Sequence, residues 1–484
     1  TWTQVAQYII LIVAYMIPVV WLAVKHTGVP VPQLVYGQVL ERLTARESEL
    51  LVDPKELEVR DILKQRAASA KAKVDGLPQS LEMAQAAATA KVAELRAANA
   101  PEDKITAAAK VPASVAEAKT AWTAEAAAST AQAAPPIRHA EPFYSAATDP
   151  VKAEAERSTK RLNFLALIFC LMLGTAALPH ILMRYYTTPS VTQARRSVFW
   201  SLFFIFLLYF TAPALAVLVK FDIYTLIVGS RFSELPFWVA EWTKVDPALL
   251  TIVDVNADGV VQLAEIKLGQ DIVVLATPAI AGMPYVITGL VAAGGLAAAL
   301  STADGLLLTI ANALSHDVYY KMIDPKATTQ RRVLISKILL LFVALAAASV
   351  AAQKPADILF LVSAAFSFAA AAFFPALVCG VFWKRANSAG AVAGMVTGLG
   401  VCFYYMATTQ PWLRSVFGLT SPIADNLWFG IQPISAGVFG VPVGVTALVV
   451  VSLLTPAPDA HSQELVEHVR YPDLKGGAKS QVHG

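Results

Sequence analysis

An all-α integral membrane fold is what this sequence predicts, and three observations carry that expectation. Of its 484 residues, 56% are hydrophobic and only 15% charged, against about 45–50% and about 25% in soluble domains. The mean hydropathy is +0.56. Eight stretches reach the roughly 20 mostly apolar residues that a spanning helix needs: 5–25, 162–185, 196–219, 285–316, 333–353, 356–382, 388–408 and 433–455. This composition excludes an ordinary cytosolic enzyme. A net charge of +3 is too small on so long a chain to suggest a nucleic acid partner. Cys170, Cys379 and Cys402 all lie in apolar stretches and suggest neither a disulfide framework nor a metal cluster.

The first residue is Thr1, no signal peptide precedes the first apolar stretch, and the chain reads as a C-terminal fragment. Lys and Arg in short loops set the orientation of the spans. Arg184, Arg195 and Arg196, then Lys321, Lys326, Arg331 and Arg332, then Lys384 and Arg385, fall on one side if the helices alternate. The tail at 456–484, with Arg470, Lys475 and Lys479, joins them, and this side is expected to be cytoplasmic. The segments 26–160 and 220–284 are then expected outside a cell (inner, plasma) membrane.

The first outer segment is an insertion. Residues 37–160 contain no span and are rich in Ala, Glu, Lys, Arg and Gln. Leu40, Leu43, Leu50, Leu51, Leu57, Ile62 and Leu63 recur at near-helical spacing, and Pro54, Pro78, Pro101, Pro112 and Pro135-Pro136 punctuate the run. Two readings fit: a helical hairpin or short bundle standing outside the bilayer, and a coiled coil that docks a protein partner.

The second outer segment carries a motif. Asp254 to Glu265 matches D-x-[DN]-x-[DN]-G-x₅-E at every fixed position. Asp254, Asn256 and Asp258 would offer side-chain oxygens on alternate residues, Val260 its carbonyl, Gln262 a direct or water-mediated contact, and Glu265 two oxygens to a Ca²⁺ ion. Gly259 permits the sharp turn, and Val261 is an apolar anchor. The competing reading is a polar turn rich in Asn, Asp and Gly.

Two spans depart from a plain apolar helix. In 162–185, Pro179 removes an amide donor and Gly174 weakens the helix before it. A broken helix with exposed ends is expected there, and such ends face ions and anionic solutes in transporters. Gly174, Thr175, Pro179 and His180 are the candidate substrate path; the competing reading has Thr175 back-bonded within its helix and His180 as a structural donor. In 285–316, Ser301, Thr302 and Asp304 interrupt an apolar run beside Gly294 and Gly295. A carboxylate at that depth is costly, about 2.5–3.5 kcal/mol on insertion scales. Hydroxyl, carbonyl and carboxylate oxygens suit Na⁺, so Ala298 (through its carbonyl), Ser301, Thr302 and Asp304 are the candidate sodium ligands. The alternative is back-bonded hydroxyls and a buried, paired Asp304. Gly390-x₃-Gly394-x₃-Gly398 predicts a helix-packing face, and Ser363 and Ser367 either line a path or pack.

By these residues the chain resembles the solute:sodium symporter family, in particular its acetate-permease-like (cation/acetate symporter) branch. The resemblance rests on Gly174-Thr175-Ala176-Ala177-Leu178-Pro179-His180-Ile181-Leu182-Met183-Arg184, on Leu300 through Leu307, on Ser315-His316-Asp317-Val318-Tyr319, and on Trp383-Lys384-Arg385. It implies an inverted-repeat transporter core of five plus five helices with accessory helices and, here, a helical extramembrane insertion. The span 1–25 would be the fifth core helix, 161–382 the complete second repeat, and 383–455 two accessory helices. It also implies sodium bound between the first and eighth core helices, with Ala298, Ser301 and Thr302 on the eighth. Asp304 does not transfer as a family ligand, and neither the insertion nor the calcium-like loop is a general family feature.

The expected function is sodium-coupled symport of a small organic anion, a monocarboxylate such as acetate, by alternating access. Rival readings are a proton-coupled carrier using His180 or Asp304, and a calcium-binding receptor or assembly protein docking partners through 37–160. With no nucleophile, phosphate loop or soluble acid–base pair in view, no enzymatic activity is expected.

Overall fold

The computed structural model describes residues 2–470 except 99, 138, 140, 146, 184, 186 and 187. Arg184, Lys475 and Lys479, used above for orientation, lie outside the described residues. The chain begins with α1 (Trp2–Thr27), α2 (Pro32–Leu50), α3 (Pro54–Asp75), α4 (Gln79–Ala97), α5 (Glu102–Ala109) and α6 (Val115–Ala133). It continues through α7 (Pro150–Ala177), α8 (Pro179–Leu182), α9 (Val191–Leu226), α10 (Phe237–Val245), α11 (Val273–Ile280) and α12 (Tyr285–Asn312). The last helices are α13 (Thr329–Ala351), α14 (Ile358–Phe382), α15 (Ser388–Thr409), α16 (Pro411–Val416), α17 (Gly437–Leu454) and α18 (Ala460–Arg470). Between α10 and α11, β1 (Leu250–Ile252) pairs antiparallel with β2 (Ile266–Leu268), Leu250 opposite Leu268 and Ile252 opposite Ile266.

Among the described residues eight helices are long and apolar enough to cross a membrane. Each overlaps one expected stretch. The largest difference is α7, which begins at Pro150 and ends at Ala177 rather than running over 162–185. Asp149 explains the early start: its side chain accepts from the Val151 amide, and Pro150 occupies the first turn. α13 has no buried residue among those described. Its apolar run from Ile338 to Ala348, left bare, is untenable in water and unremarkable in lipid, where the tails are as apolar as the side chains.

Two compact units result, one of residues 1–8, 138–207 and 296–484, the other of 9–137 and 208–295. In the first, α7, α14, α15 and α17 pack on one another. The expected glycine face is used: a Cβ on Gly394 would stand 2.8 Å from the Gly444 carbonyl oxygen, so α15 and α17 meet backbone to backbone. Ser363 and Ser367 are buried, and Ser367 Oγ donates to the Ile434 carbonyl at 2.7 Å, which resolves that pair as packing rather than path.

In the second unit, Val19, Leu22, Leu43, Leu218, Ile227, Leu250 and Ile272 form one core that joins α1, α2 and α9 to the segment 227–283. The insertion is helical, and its prolines mark starts: Pro54 opens α3, while Pro78, Pro101 and Pro112 precede α4, α5 and α6. α3 packs on α6, with Val59, Leu63 and Ala133 buried together. Of the apolar positions at near-helical spacing, Leu43, Leu50 and Leu63 are buried, whereas Leu57 is 47% exposed.

A buried charge cluster lies in the same unit. Asp222, 1% exposed, pairs with Lys25 Nζ at 2.8 Å and stands 2.7 Å from His26 Nε2, an ion-pair contact rather than an aligned hydrogen bond. The Lys25 side chain is 36% exposed, so the group that suffers when the pair is broken is the buried carboxylate, left without its cation. Lys25→Ala, which leaves the Asp222 carboxylate without that cation, is expected to destabilise this unit by about 1–3 kcal/mol, visible as a lowered melting temperature of the purified chain; an unchanged value would show that the pair contributes nothing.

Candidate cation and solute site

The helix break expected around Pro179 is present. Leu178 adopts φ −65° and ψ 118°, an extended conformation, between the end of α7 at Ala177 and the start of α8 at Pro179. Proline supplies no amide and restricts the residue before it to extended backbone, so the break falls where the sequence puts it. Gly174 is buried four residues earlier, and a Cβ there would stand 2.8 Å from Phe366 Cα and closer still to its carbonyl oxygen. Its absent side chain lets α7 cross α14, a packing role that the helix-weakening argument did not supply. Thr175 is exposed, and its hydroxyl donates to the Leu171 carbonyl at 2.7 Å, the back-bonded alternative. Pro179 and His180 are half-buried.

α12 carries the polar residues Ser301, Thr302 and Asp304 on unbroken helix. Its backbone is regular α-helix through Gly294–Gly305, and the irregular backbone lies further on, in a π-helix over Ala313–Ile323. Small residues do admit a neighbour, since a Cβ on Gly294 would stand 2.7 Å from Ala14 Cβ of α1. Ala298 and Ser301 are half-buried, while Thr302 and Asp304 are exposed on the helix surface. Asp304 is thus not the buried, paired acid of the alternative reading. The Thr302 hydroxyl donates to the Ala298 carbonyl at 3.3 Å, which is the back-bonded alternative for this residue and also sets two proposed ligand oxygens side by side. That bond consumes the hydroxyl proton and leaves oxygen lone pairs on both groups.

A cavity of about 630 Å³ opens beside the π-helix, lined by Met183, Thr309, Asn312, Ser315, His316 and Arg332 among others. Thr309 Oγ1 donates to the Gly305 carbonyl at 2.7 Å and stands 3.1 Å from Met183 Sδ, a contact between α12 and the chain after the broken helix. The lining includes neither Gly174–His180 nor Ser301 and Thr302. A π-helix frequently accompanies function, but it arises from an extra residue in the turn rather than from a residue type, so the sequence carried no signal for it.

In the calcium-like loop, Ala257 and Gly259 take positive φ values of 60° and 75°. Asp254 Oδ2 accepts from the Gly259 amide at 3.0 Å, Asn256 Oδ1 from the Asp258 amide at 3.3 Å, and Asp258 Oδ1 from the Val260 amide at 2.9 Å. Glu265 is fully buried, with its two oxygens accepting from the Val255 and Gln262 amides at 2.6 and 3.0 Å. Burial holds its carboxyl above the ordinary glutamate value. Strands β1 and β2 flank the loop, not helices. Among the described residues no three His, Cys, Asp or Glu side chains converge on a metal-sized point. Asp254, Asn256 and Asp258 thus hold the loop through main-chain amides, and each Glu265 oxygen accepts one amide while keeping a further lone pair.

Among the described residues, eight apolar spans, a proline-broken helix and glycine-mediated helix crossings define a multi-pass helical membrane protein. A model of the sodium:solute symporter family matches residues 243–398. An uncharacterized symporter of Cupriavidus necator is 50% identical over 474 residues, covering 97% of this chain and 68% of that protein. The chain belongs to the sodium:solute symporter family, whose members are transporters and not enzymes. A monocarboxylic acid transporter of Corynebacterium glutamicum is 30% identical over 243 residues, 50% of this chain and 38% of that protein. An uncharacterized symporter of Bacillus subtilis, YwcA, is 30% identical over 246 residues, 49% and 40% respectively. The chain therefore spans less than half the length of these last two relatives. The solved outward-open, substrate-bound structure of a Na⁺-coupled sialic acid symporter aligns with a TM-score of 0.34 and 14% identity, over 94% of this chain and 88% of that one.

Proposed function

We propose that this protein couples the inward movement of Na⁺ to uptake of a small monocarboxylate, acetate being the type solute, by alternating access. The observation that carries the reading is the pair of adjacent hydroxyls, Ser301 and Thr302, on a long apolar helix of a chain in this family, with the Ala298 carbonyl beside them. Hard oxygens replacing the water around a sodium ion are what that arrangement offers, with Asp304 one turn along as a charged neighbour. Carried one-for-one with a monocarboxylate anion, Na⁺ moves no net charge, so its concentration gradient supplies the drive, a tenfold gradient being worth about 1.4 kcal/mol and supporting about tenfold accumulation of the solute. The solute class is supported by the 30% identity to a protein named a monocarboxylic acid transporter and by the broken helix at Leu178, where Gly174, Thr175, Pro179 and His180 would form part of the path.

Competition tests the solute. Uptake of labelled acetate by cells producing the protein is expected to be suppressed by excess propionate or pyruvate and untouched by glucose or proline. Suppression by the neutral solutes instead would reject the monocarboxylate assignment.

A further inference from the structure

Beside the transport function, we propose that the loop 254–265 binds one calcium ion through a mixed set of carboxylate, amide and carbonyl oxygens, and so fastens the insertion helix α3 to the segment that follows α9. The spacing of Asp254, Asn256, Asp258, Val260, Gln262 and Glu265 suits a hard cation taking six to eight oxygens. A motif alone is a polar turn. The independent mark is Gln262.

Gln262 is 6% exposed, its Nε2 lies on Asp258 Oδ2 at 3.0 Å, and its buried Oε1 accepts no hydrogen bond. A buried amide oxygen without a donor loses its hydration with nothing in return. Its Nε2 end is fixed on the carboxylate at the loop's fifth position, and its Oε1 end faces the Glu265 amide in a capping box without an aligned hydrogen bond. Asp254 Oδ1 is likewise buried and without a hydrogen-bond donor. A cation at the centre of the loop satisfies both oxygens at once.

Charge favours the same occupant. Asp254 and Asp258 both act on buried Glu265 as like charges, and the basic group beside them, Lys55, is exposed and 4.0 Å from Asp258. The nearby acid Glu56 is balanced separately, by Arg60 at 2.5 Å. Access is open, since a cleft of about 360 Å³ beside the loop is lined by Asp53, Lys55, Asp258, Val260 and Gln262. Calcium is preferred to magnesium because the set is large, mixed and irregular, where magnesium demands a near-ideal octahedron.

The structural consequence follows from what the loop touches. Glu56 of α3 accepts from the Ala264 amide at 3.1 Å. On the other side, the Val261 amide donates to the Ser230 carbonyl at 2.9 Å, and the Gly229 amide donates to the Val261 carbonyl at 2.8 Å. An ion that fixes 254–265 therefore fixes both neighbours.

The test is calorimetric titration of the whole chain in lipid nanodiscs, first freed of metal by chelation, with calcium chloride and, as control, magnesium chloride. One calcium per chain is expected, with a dissociation constant on the order of 10⁻⁴–10⁻³ M as for extracellular modules, and magnesium at least tenfold weaker. Asp258→Asn and Asp254→Asn keep an acceptor oxygen for their main-chain amides and are expected to fold, eluting as wild type on size exclusion, while weakening calcium binding tenfold or more. Absence of calcium heat at millimolar concentrations, or equal affinity in both variants, would overturn the proposal.

Discussion

Replacing Ser301 and Thr302 together by alanine is expected to abolish sodium-stimulated uptake while leaving the protein folded. Ser301 is half-buried and Thr302 exposed on α12, and Thr302's hydrogen bond is to its own helix, so neither hydroxyl holds the fold. Surface changes of this kind usually move stability by less than about 0.5 kcal/mol. The loss should instead fall on the ion. Removing one oxygen ligand at a cost of about 1.4 kcal/mol raises the half-saturating sodium concentration about tenfold, and removing two takes it beyond any physiological level. The single variants should therefore show raised half-saturating sodium with an unchanged maximal rate, the double variant no sodium response, and all of them wild-type elution on size exclusion. Double-variant uptake with normal sodium dependence would remove these hydroxyls from the ion site.

Gly174→Ala is expected to do the reverse, damaging the fold before the transport cycle. A methyl group at this position collides with Phe366 main-chain atoms at 2.8 Å or less, and a backbone cannot rotate out of the way as a side chain does. Overpacking of this kind costs about 1–3 kcal/mol, and a larger side chain forces α7 off α14 altogether. Yield and melting temperature in detergent should fall for alanine and collapse for valine. Thr175→Ala, one residue along and exposed, should leave both unchanged, so its effect on uptake reports on the solute path alone. A Gly174→Ala protein as stable as wild type would mean that the two helices do not meet at this point.

Legibility in the sequence followed the physics of each feature. The spans were readable because lipid imposes one simple rule, about 20 apolar residues, and packing does little to override it. Pro179 broke its helix and the Gly390–Gly398 repeat packed, because a missing amide and a missing side chain act locally. The insertion was readable as helix from its prolines and composition, though not in detail: Leu57 carries the right spacing and still faces outward. What escaped was whatever depends on distant partners. Gly174 is small because of Phe366, nearly two hundred residues away, and Asp222 is tolerated near the end of an apolar helix because Lys25 and His26 meet it. The π-helix at 313–323 and its cavity had no residue signature at all. Ser301 and Thr302 were singled out by chemistry, as polar groups in an apolar run, and the structure adds their exposure and the Ala298 contact.

The most direct test of the account is the initial rate of labelled acetate uptake into proteoliposomes holding the protein as its gene encodes it, with external sodium varied against choline at fixed pH and fixed membrane potential. The account predicts a rate that rises and saturates with sodium and vanishes in choline. A rate indifferent to sodium that instead tracks an imposed proton gradient would contradict it.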